Sequence, residues 1–287
     1  MLQGVFTALV TPFSQNGHID IGALTAIVQK QLESGIDGLV PIGTTGESPT
    51  LDDKEKELII KTIAELANGK VPVIAGSGSN CTKSAVEATK KAKDAGADYT
   101  LQVAPYYNKP SEEGLYRHFI EIAEKGGLPV VLYNIPGRSA INMSVDLILR
   151  LAEHPRIVAD KEACGNMGQI QDLLHRKPAD FSVLSGDDAL TLPMMVCGAQ
   201  GIISVASNMF PAEMVKMTHA AAEGDFKTAL EVYNWIYPFF VNQFIETNPV
   251  PVKTYMASKG MLEEVFRLPL VPLNTLHKET LLATFKH

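Results

Sequence analysis

The sequence has few cysteines: Cys81, Cys164 and Cys197 are the only three in 287 residues. An odd number at wide spacing excludes a disulfide framework, and the absence of a CxxC pair excludes the usual zinc motifs. The seven histidines are scattered and none pairs with another at ligand spacing, so we expect no metal site. Unpaired thiols are typical of the cytosol, which predicts a cytoplasmic protein.

The chain also lacks targeting and membrane signals. Its first residues, MLQGVFTALVTPF, contain no basic segment followed by a long apolar stretch, which predicts that it is not secreted. No apolar run approaches the roughly 18 residues that span a bilayer. Positive charge is in deficit, and the net charge is −7. We therefore expect neither nucleic acid nor a membrane as a partner, and any anionic ligand must be held by local donors.

Eight short apolar runs rich in β-formers alternate with segments of helical period. The predicted strands are Gly4–Val10, Gly38–Ile42, Val71–Ala75, Tyr99–Ala104, Pro129–Tyr133, Ile157–Lys161, Phe181–Ser185 and Gly201–Val205. The helical segments include Asp53–Ala67, Thr82–Ala95, Gly114–Lys125 and Val145–Glu153. This alternation predicts βαβ units, and eight units in roughly 220 residues match a closed (β/α)8 TIM barrel of the α/β class. An open doubly wound sheet is disfavoured because no Gly-rich dinucleotide turn follows the first strand.

The strand pattern stops after Gly224. Phe226–Ile245, Pro251–Lys259 and a segment near Lys278–Phe285 indicate helices instead. We therefore expect a catalytic barrel domain over residues 1–224 and a small C-terminal helical domain over residues 225–287. No Ser- or Gly-rich linker separates them, so the boundary is a change of architecture and not a hinge.

Lys161 ends the predicted sixth strand, and the active sites of such barrels lie at the C-terminal ends of the strands. If Val158 faces the surrounding helices, alternation points Lys161 into the barrel. Burial would lower the pKa of the amine from about 10.4, and a neutral amine is what a Schiff base requires. From position alone, a lysine reaching solvent at the barrel rim is an equally good interpretation.

Two further strand ends carry tyrosines. Tyr133 ends the fifth strand, and Tyr106 and Tyr107 follow the fourth. They could form a proton relay, although tyrosines often sit at barrel mouths simply with the hydroxyl in water.

Three other segments suggest anion or cation binding. The GTTGES sequence at Gly43–Ser48 offers backbone amides and hydroxyls that suit a carboxylate, without the spacing of a P-loop. Arg138 could fork a second carboxylate, although an isolated arginine is usually a solvated surface residue. Asp187 and Asp188 could hold a cation, but such a pair more often caps a helix.

Taken together, these segments resemble the dihydrodipicolinate synthase family, within the N-acetylneuraminate lyase superfamily, from Gly4 to about Leu282. The matching segments are GTTGES at Gly43–Ser48, APYYN at Ala104–Asn108 with Pro110, YNIPGR at Tyr133–Arg138, DKEACGN at Asp160–Asn166, SGDD at Ser185–Asp188 and NPVPVK at Asn248–Lys253. Arg138 and the NPVPVK segment favour the synthases over sialic-acid and sugar-acid relatives.

The resemblance implies a class I lyase that condenses pyruvate with L-aspartate 4-semialdehyde to 4-hydroxy-tetrahydrodipicolinate, in the diaminopimelate and lysine pathway. It implies that Lys161 forms the imine with pyruvate and that Thr44 and Thr45 bind the pyruvate carboxylate. Tyr133 would move protons, linked through Thr44 to Tyr107. No cofactor is expected, since lysine supplies the covalent catalysis.

The resemblance also implies the second substrate site and the assembly. Arg138 would bind the carboxylate of the semialdehyde, and backbone groups of Gly186 and Ile203 would line the pocket. Tyr107 would reach into the site of a partner subunit across a tight dimer interface. Two such dimers would form a homotetramer.

Two departures from the family pattern stand out. Asp160 replaces an apolar residue, and by alternation it should face the helix layer, where it could pair with a cation. At the family's lysine feedback site, Ser48, Asn80 and Tyr106 are retained. Members inhibited by lysine typically carry a histidine or another suitable polar residue where this chain has Lys56, and a glutamate where it has Ser84. We therefore expect weak or absent inhibition by lysine.

Two other functions share part of this residue set. An N-acetylneuraminate lyase or a keto-deoxy sugar acid aldolase would retain Lys161, Tyr133 and the threonines, and would differ in the aldehyde. A catalytically silent paralogue could bind a keto acid as a sensor, but the set of Lys161, Tyr133, Thr44, Tyr107 and Arg138 is intact, which argues against it.

Overall fold

Eight parallel strands form one sheet in the computed structural model, which describes residues 1–285. The strands are β1 Gly4–Ala8, β2 Gly38–Val40, β3 Ile74–Gly76, β4 Tyr99–Val103, β5 Val130–Asn134, β6 Ile157–Glu162, β7 Ser182–Ser185 and β8 Gly201–Ser204. Their order is β2-β1-β8-β7-β6-β5-β4-β3. The Leu39–Val73 bridge joins β2 to β3 and closes the ring. The predicted (β/α)8 barrel is confirmed.

Helices connect consecutive strands and continue after the last one. They are α1 Ile21–Glu33, α2 Asp53–Ala67, α3 Thr82–Asp94, α4 Glu112–Lys125, α5 Pro136–Ser139, α6 Val145–Ala152, α7 Met167–Arg176, α8 Thr191–Val196, α9 Pro211–Ala222, α10 Phe226–Asn242, α11 Val250–Ser258 and α12 Thr275–Leu282. None of the helices in this part of the chain is long and apolar enough to cross a bilayer.

Local sequence explains most element ends. Helix α2 begins at a capping box in which the Asp52 side chain accepts from the Glu55 amide and the Glu55 side chain accepts from the Asp52 amide. Strand β3 begins at Ile74, three residues later than predicted. Pro72 lacks an amide hydrogen, and it contributes only its carbonyl, which accepts from the Leu39 amide at 3.0 Å.

The apolar side chains form two cores. The first fills the barrel interior and contains Phe6, Val40, Leu101, Tyr133 and Ile203. The second lies between the strands and the helices, and it includes Ile236, Phe239, Val252 and Met256 from the C-terminal helices. The region after Gly224 is therefore packed onto the outer core of the barrel.

The C-terminal helices lie close to their predicted positions. Helix α10 ends three residues earlier than predicted, and α12 begins at Thr275 and not near Lys278. The last two residues of the predicted 225–287 domain, 286 and 287, lie outside the described residues. The division into domains 1–224 and 225–287 remains a prediction.

Candidate active site

Lys161 lies at the C-terminal end of β6, and its side chain is only 5% exposed. Its orientation depends on a bulge: Val130 pairs with Ile157 and Val131 pairs with Ala159, so Val158 has no partner in β5. Val158 packs against the interior core, contrary to the premise that it faces the helices. Because the bulge resets the alternation of side chains, Lys161 still points into the barrel, beside Tyr133.

The interior of the barrel changes the chemistry of this amine. Burial lowers the pKa of Lys161 from 10.5 to about 7, because a medium of low polarity disfavours the ammonium. The carboxylate of Asp188 opposes this decrease in pKa, and the positive charge of Arg138 adds to it. Near neutral pH a large fraction of Lys161 is therefore a neutral, nucleophilic amine.

Tyr133 lies next to Lys161 in the neighbouring strand. The two residues are paired in the β5–β6 register, and Lys161 Nζ lies 4.2 Å from the centre of the Tyr133 ring. Burial raises the pKa of the Tyr133 hydroxyl to about 12, while the Arg138 charge and a hydrogen bond with Thr44 oppose that increase. The phenol is therefore protonated at neutral pH and can donate a hydrogen bond or a proton.

Gly186 leaves the space that the Lys161 side chain occupies. A Cβ atom at Gly186 would lie 2.7 Å from Ala163 Cβ and 3.2 Å from Lys161 Cε. Ile203, on β8, is buried in the same interior core as Tyr133. Neither residue is among those that line the neighbouring cavity, so their role in lining a pocket remains a prediction.

The loop Gly43–Ser48 follows β2 at the same end of the barrel. Its amides at Gly46, Glu47 and Ser48 donate to carbonyls within the loop at 3.1–3.4 Å. Within residues 1–285 the amides of Gly43, Thr44 and Thr45 have no acceptor. Fewer groups of the loop are therefore free to bind an anion than the sequence suggests: they are these three amides and the hydroxyls of Thr44 and Thr45.

Residues of the C-terminal region contact this loop and stabilise it. Glu47, whose φ of +54° is in the left-handed region, forms a fully buried ion pair with Lys253 at 2.5 Å. Lys253 Nζ also donates to the Val265 carbonyl at 2.8 Å, and the Arg267 amide donates to Glu47 at 3.2 Å. The left-handed backbone conformation of Glu47, which is uncommon for a residue other than glycine, is thus stabilised by contacts with the C-terminal region.

Arg138 lies on the short helix α5, just after β5, and its side chain is exposed. Its Nη2 donates to the backbone carbonyl of Asn248 at 3.2 Å. The side-chain amide of the same Asn248 donates to Thr45 Oγ1 at 3.0 Å. Asn248 was part of a motif in the sequence, but its pattern gave no sign that it contacts both binding groups.

The two aspartates after β7 have different roles. Asp187 accepts from the Ala189 amide and caps a 3-10 turn at Asp188–Leu190, which is the capping role expected. Asp188 is buried and accepts from Ser204 Oγ at 2.5 Å, from the amides of Val205 and Ala206, and from Gln243 Nε2 at 2.9 Å. Burial raises the pKa of Asp188, and the hydrogen bonds from Ser204, Ala206 and Gln243 oppose that increase.

Asp160 points away from Lys161, on the outer face of β6. Its strand partners Leu132 and Val183 belong to the outer core, as alternation predicts. No cationic side chain pairs with Asp160 there: within residues 1–285 neither of its carboxylate oxygens has a hydrogen-bond partner. Burial, with the nearby Glu162 carboxylate, raises the pKa of Asp160 well above its ordinary value.

Tyr107 is not part of the site within one chain. It lies on the loop after β4 and is 90% exposed, with a φ of +73°. A contact of Tyr107 with Thr44 and Tyr133 would have to come from a second copy of the chain.

A cavity of about 470 Å³ opens beside the site. Thr44, Tyr133 and Arg138 line it, and the lining continues to the predicted effector residues Ser48 and Tyr106, with Lys56 and Ser84. Asn80 contacts this wall, since its side-chain amide donates to the Tyr106 carbonyl at 3.2 Å. The described residues contain no cluster of three or more His, Cys, Asp or Glu that could hold a metal.

The whole chain is similar to known proteins. Residues 1–287 match the model of the dihydrodipicolinate synthetase family. The 4-hydroxy-tetrahydrodipicolinate synthase of Pelobacter propionicus is 48% identical over 286 residues, which are 100% of this chain and 98% of the relative. That of Koribacter versatilis is 50% identical over 95% of this chain and 91% of the relative. The solved structure of the Methylacidiphilum fumariolicum enzyme superposes with a TM-score of 0.97 at 45% identity, covering 100% of this chain and 95% of that one.

Proposed function

The chain belongs to the dihydrodipicolinate synthetase family, and we propose the residues by which it condenses pyruvate with L-aspartate 4-semialdehyde. The observation that carries the proposal is the buried amine of Lys161, with its pKa lowered to about 7, next to the Tyr133 phenol. This amine attacks the keto carbon of pyruvate, water leaves, and a protonated imine forms. No cofactor is needed in this scheme.

The remaining residues are assigned to the steps that follow. The free amides and hydroxyls of Thr44 and Thr45 bind the pyruvate carboxylate. The iminium acidifies the pyruvate methyl group, which loses a proton through Tyr133 to give an enamine. The enamine carbon attacks the aldehyde carbon, and the aldehyde oxygen takes up a proton. The substrate amine then attacks the imine carbon, which closes the ring and releases Lys161.

The second substrate enters from the cavity. Arg138 lies at the mouth of the cavity with an exposed guanidinium. The nitrogens that do not donate to Asn248 can form a bidentate ion pair with the semialdehyde carboxylate. We assign the backbone groups of Gly186 and Ile203 to the surroundings of the amine, since Gly186 packs against the Lys161 side chain and Ile203 shares the interior core with Tyr133.

We infer that two copies complete each site. Tyr107 is a bulky aromatic residue held almost fully in solvent, which supports its insertion into a partner's site, where Thr44 would link it to Tyr133. A second apolar surface lies on α10, where Phe226, Leu230, Tyr237 and Val241 are exposed on one face of the helix. Burying both surfaces gives a homotetramer built of two tight dimers. The unpaired cysteines are in keeping with a cytoplasmic location.

Trapping the imine tests the assignment. Borohydride added with pyruvate should leave one reduced pyruvyl unit, located by peptide mass spectrometry on Lys161. Lys253 is the matched control, because it is equally buried but its ammonium is paired with Glu47. Lys161→Ala should remain folded and lose both the adduct and nearly all turnover. An adduct on Lys253 or another lysine would refute the mechanism.

A substrate comparison tests the reaction itself. A coupled assay with pyruvate and L-aspartate 4-semialdehyde should give turnover, while sialic acid cleavage under the same conditions should not. Cleavage of sialic acid at a similar rate would indicate the sister lyase instead.

A further inference from the structure

Asn248 joins two parts of the site that no strand pairing connects. Its side-chain amide donates to Thr45 Oγ1 at 3.0 Å, and its backbone carbonyl accepts from Arg138 Nη2 at 3.2 Å. Thr45 follows β2 and Arg138 follows β5, and these strands are not neighbours in the sheet. The residue is only 5% exposed; its bond to Thr45 is buried, and its bond from Arg138 is partly buried.

The bond to Thr45 fixes how the threonine hydroxyl is used. A hydroxyl has one hydrogen to donate and two lone pairs to accept. Because Asn248 occupies a lone pair of Thr45 Oγ1, the single hydrogen of that hydroxyl stays free for an anion. Thr45 is buried, and no other side-chain bond of its hydroxyl is found in the described part of the chain.

The bond from Arg138 restricts a long and exposed side chain. An arginine side chain loses rotamer entropy when it is fixed, and a guanidinium that is already oriented loses less when it binds a carboxylate. One nitrogen of Arg138 is held by the Asn248 carbonyl, and the others remain available to fork an anion.

We propose that Asn248 is a positioning residue that couples the two carboxylate-binding groups, Thr45 for pyruvate and Arg138 for the semialdehyde. The proposal rests on the function assigned above. Because Asn248 contacts the first group by its side chain and the second by its backbone, loss of the side-chain bond also releases the carbonyl that orients Arg138. A change in how Thr45 binds pyruvate therefore also changes how Arg138 binds the semialdehyde.

The variant Asn248→Ala tests the proposal through its separate effects on KM and kcat. Loss of one neutral hydrogen bond should raise the KM for pyruvate roughly two- to tenfold. The KM for the semialdehyde should rise by a similar factor, although the removed atoms do not face it, and kcat should change less than about twofold. Asn242→Ala is the matched control, because Asn242 makes the same kind of bond, to Thr284 Oγ1 at 2.9 Å, away from the site. Equal kinetics for the two variants would overturn the proposal.

The variant Thr45→Val tests the same coupling by changing Thr45 instead of Asn248. Valine keeps the shape of threonine and removes the acceptor of the Asn248 bond. The KM for the semialdehyde should rise together with that for pyruvate. An effect on pyruvate alone would show that the two sites are independent.

Asn248→Asp covers the case in which the alanine variant fails to fold. Aspartate has the same shape, but its carboxylate accepts the Thr45 hydrogen and takes it away from pyruvate. The pyruvate concentration that gives half-maximal imine trapping should rise more than in Asn248→Ala, while the adduct still maps to Lys161 at saturating pyruvate. A value like that of the unmodified protein would overturn the coupling, whereas a missing Lys161 adduct in the unmodified protein would instead overturn the proposed function.

Discussion

Asp160 and Lys161 are consecutive residues that point to opposite faces of β6, and burial drives both towards their neutral forms. The pKa of Asp160 is raised and that of Lys161 is lowered for the same reason, since each side chain is removed from water without a direct ion-pair partner in the described residues. On the inner face the neutral form is a nucleophile. On the outer face it is an acid with no hydrogen-bond partner.

The first prediction concerns the pH dependence of imine formation. Only the neutral amine of Lys161 attacks pyruvate, so the rate of borohydride trapping at low pyruvate should rise with pH up to about 7 and level off above it. Tyr133→Phe should retain trapping, because the ring remains, while turnover falls roughly 10²- to 10⁴-fold with the loss of the proton donor. A trapping midpoint near pH 10 would show that burial does not lower the pKa of Lys161.

The second prediction concerns stability. The pKa of Asp160 is higher in the folded than in the unfolded state, so its contribution to stability is fully present below pH 4 and is lost as pH rises through the folded pKa. Leucine has a similar shape and no polar atoms. Asp160→Leu should therefore raise the free energy of unfolding by about 1–3 kcal/mol at pH 7, and by less at pH 4.

Denaturant unfolding at matched protein concentration measures the difference. Asp146→Leu is the control, since Asp146 is exposed and pairs with Arg176 at the surface. If the Asp160 variant is less stable at pH 7, or if its advantage does not grow with pH, the carboxyl has a partner in solution.

The third prediction concerns sharing of Tyr107 between subunits. Tyr107→Phe and Lys161→Ala should each be nearly inactive alone. In a mixed dimer, the subunit that keeps Lys161 receives Tyr107 from its partner, so one of two sites is complete and about half of the activity should return. Isolated heterodimers with differently tagged subunits allow the assay, and activity no higher than that of the parents would place Tyr107 outside the partner's site.

The fourth prediction concerns feedback by lysine. The effector carries two ammonium groups, but the cavity presents Ser84 and Lys56 to them. Of the alternative acceptors, Glu47 pairs with Lys253 and Asp53 pairs with Lys91 at 2.7 Å, while Glu57, which lines the same cavity, has no ion pair among the described residues. Loss of a charge-assisted bond costs roughly 1.5–3 kcal/mol, so we expect weak or no inhibition at millimolar lysine.

A lysine titration at subsaturating pyruvate measures the inhibition. Half-inhibition well below a millimolar would contradict the prediction. The double variant Ser84→Glu, Lys56→His should gain lysine binding detectable by calorimetry, with Lys54→His as a control on the same helix.

The barrel could be predicted because its pattern is local. Each strand is a short apolar run between helices, and seven of the twelve helices in residues 1–285 begin at a side-chain N-cap, as α2 does at Asp52. The inward orientation of Lys161 was predicted correctly from a wrong premise. A bulge depends on which residues of two strands are paired, and nothing in the sequence around Val158 specifies that register.

Part of the site depends on contacts across the chain. The sequence identified the threonines, Lys161, Tyr133 and Arg138 as candidates because of their positions at strand ends. It gave no sign that Asp188 is buried among four donors or that Asn248 touches both Thr45 and Arg138. Such contacts join residues far apart in sequence, and their partners follow only from the folded geometry.

The contacts that hold the Gly43–Ser48 loop also impose an order in time. Thr45 and Glu47 are bound by residues that lie 203 and 206 positions later in the chain. During synthesis on the ribosome all eight strands are made before Asn248 and Lys253 exist. A nascent chain can therefore close its barrel while the Gly43–Ser48 loop is still unsupported, and the loop reaches its final arrangement only when the last helices dock.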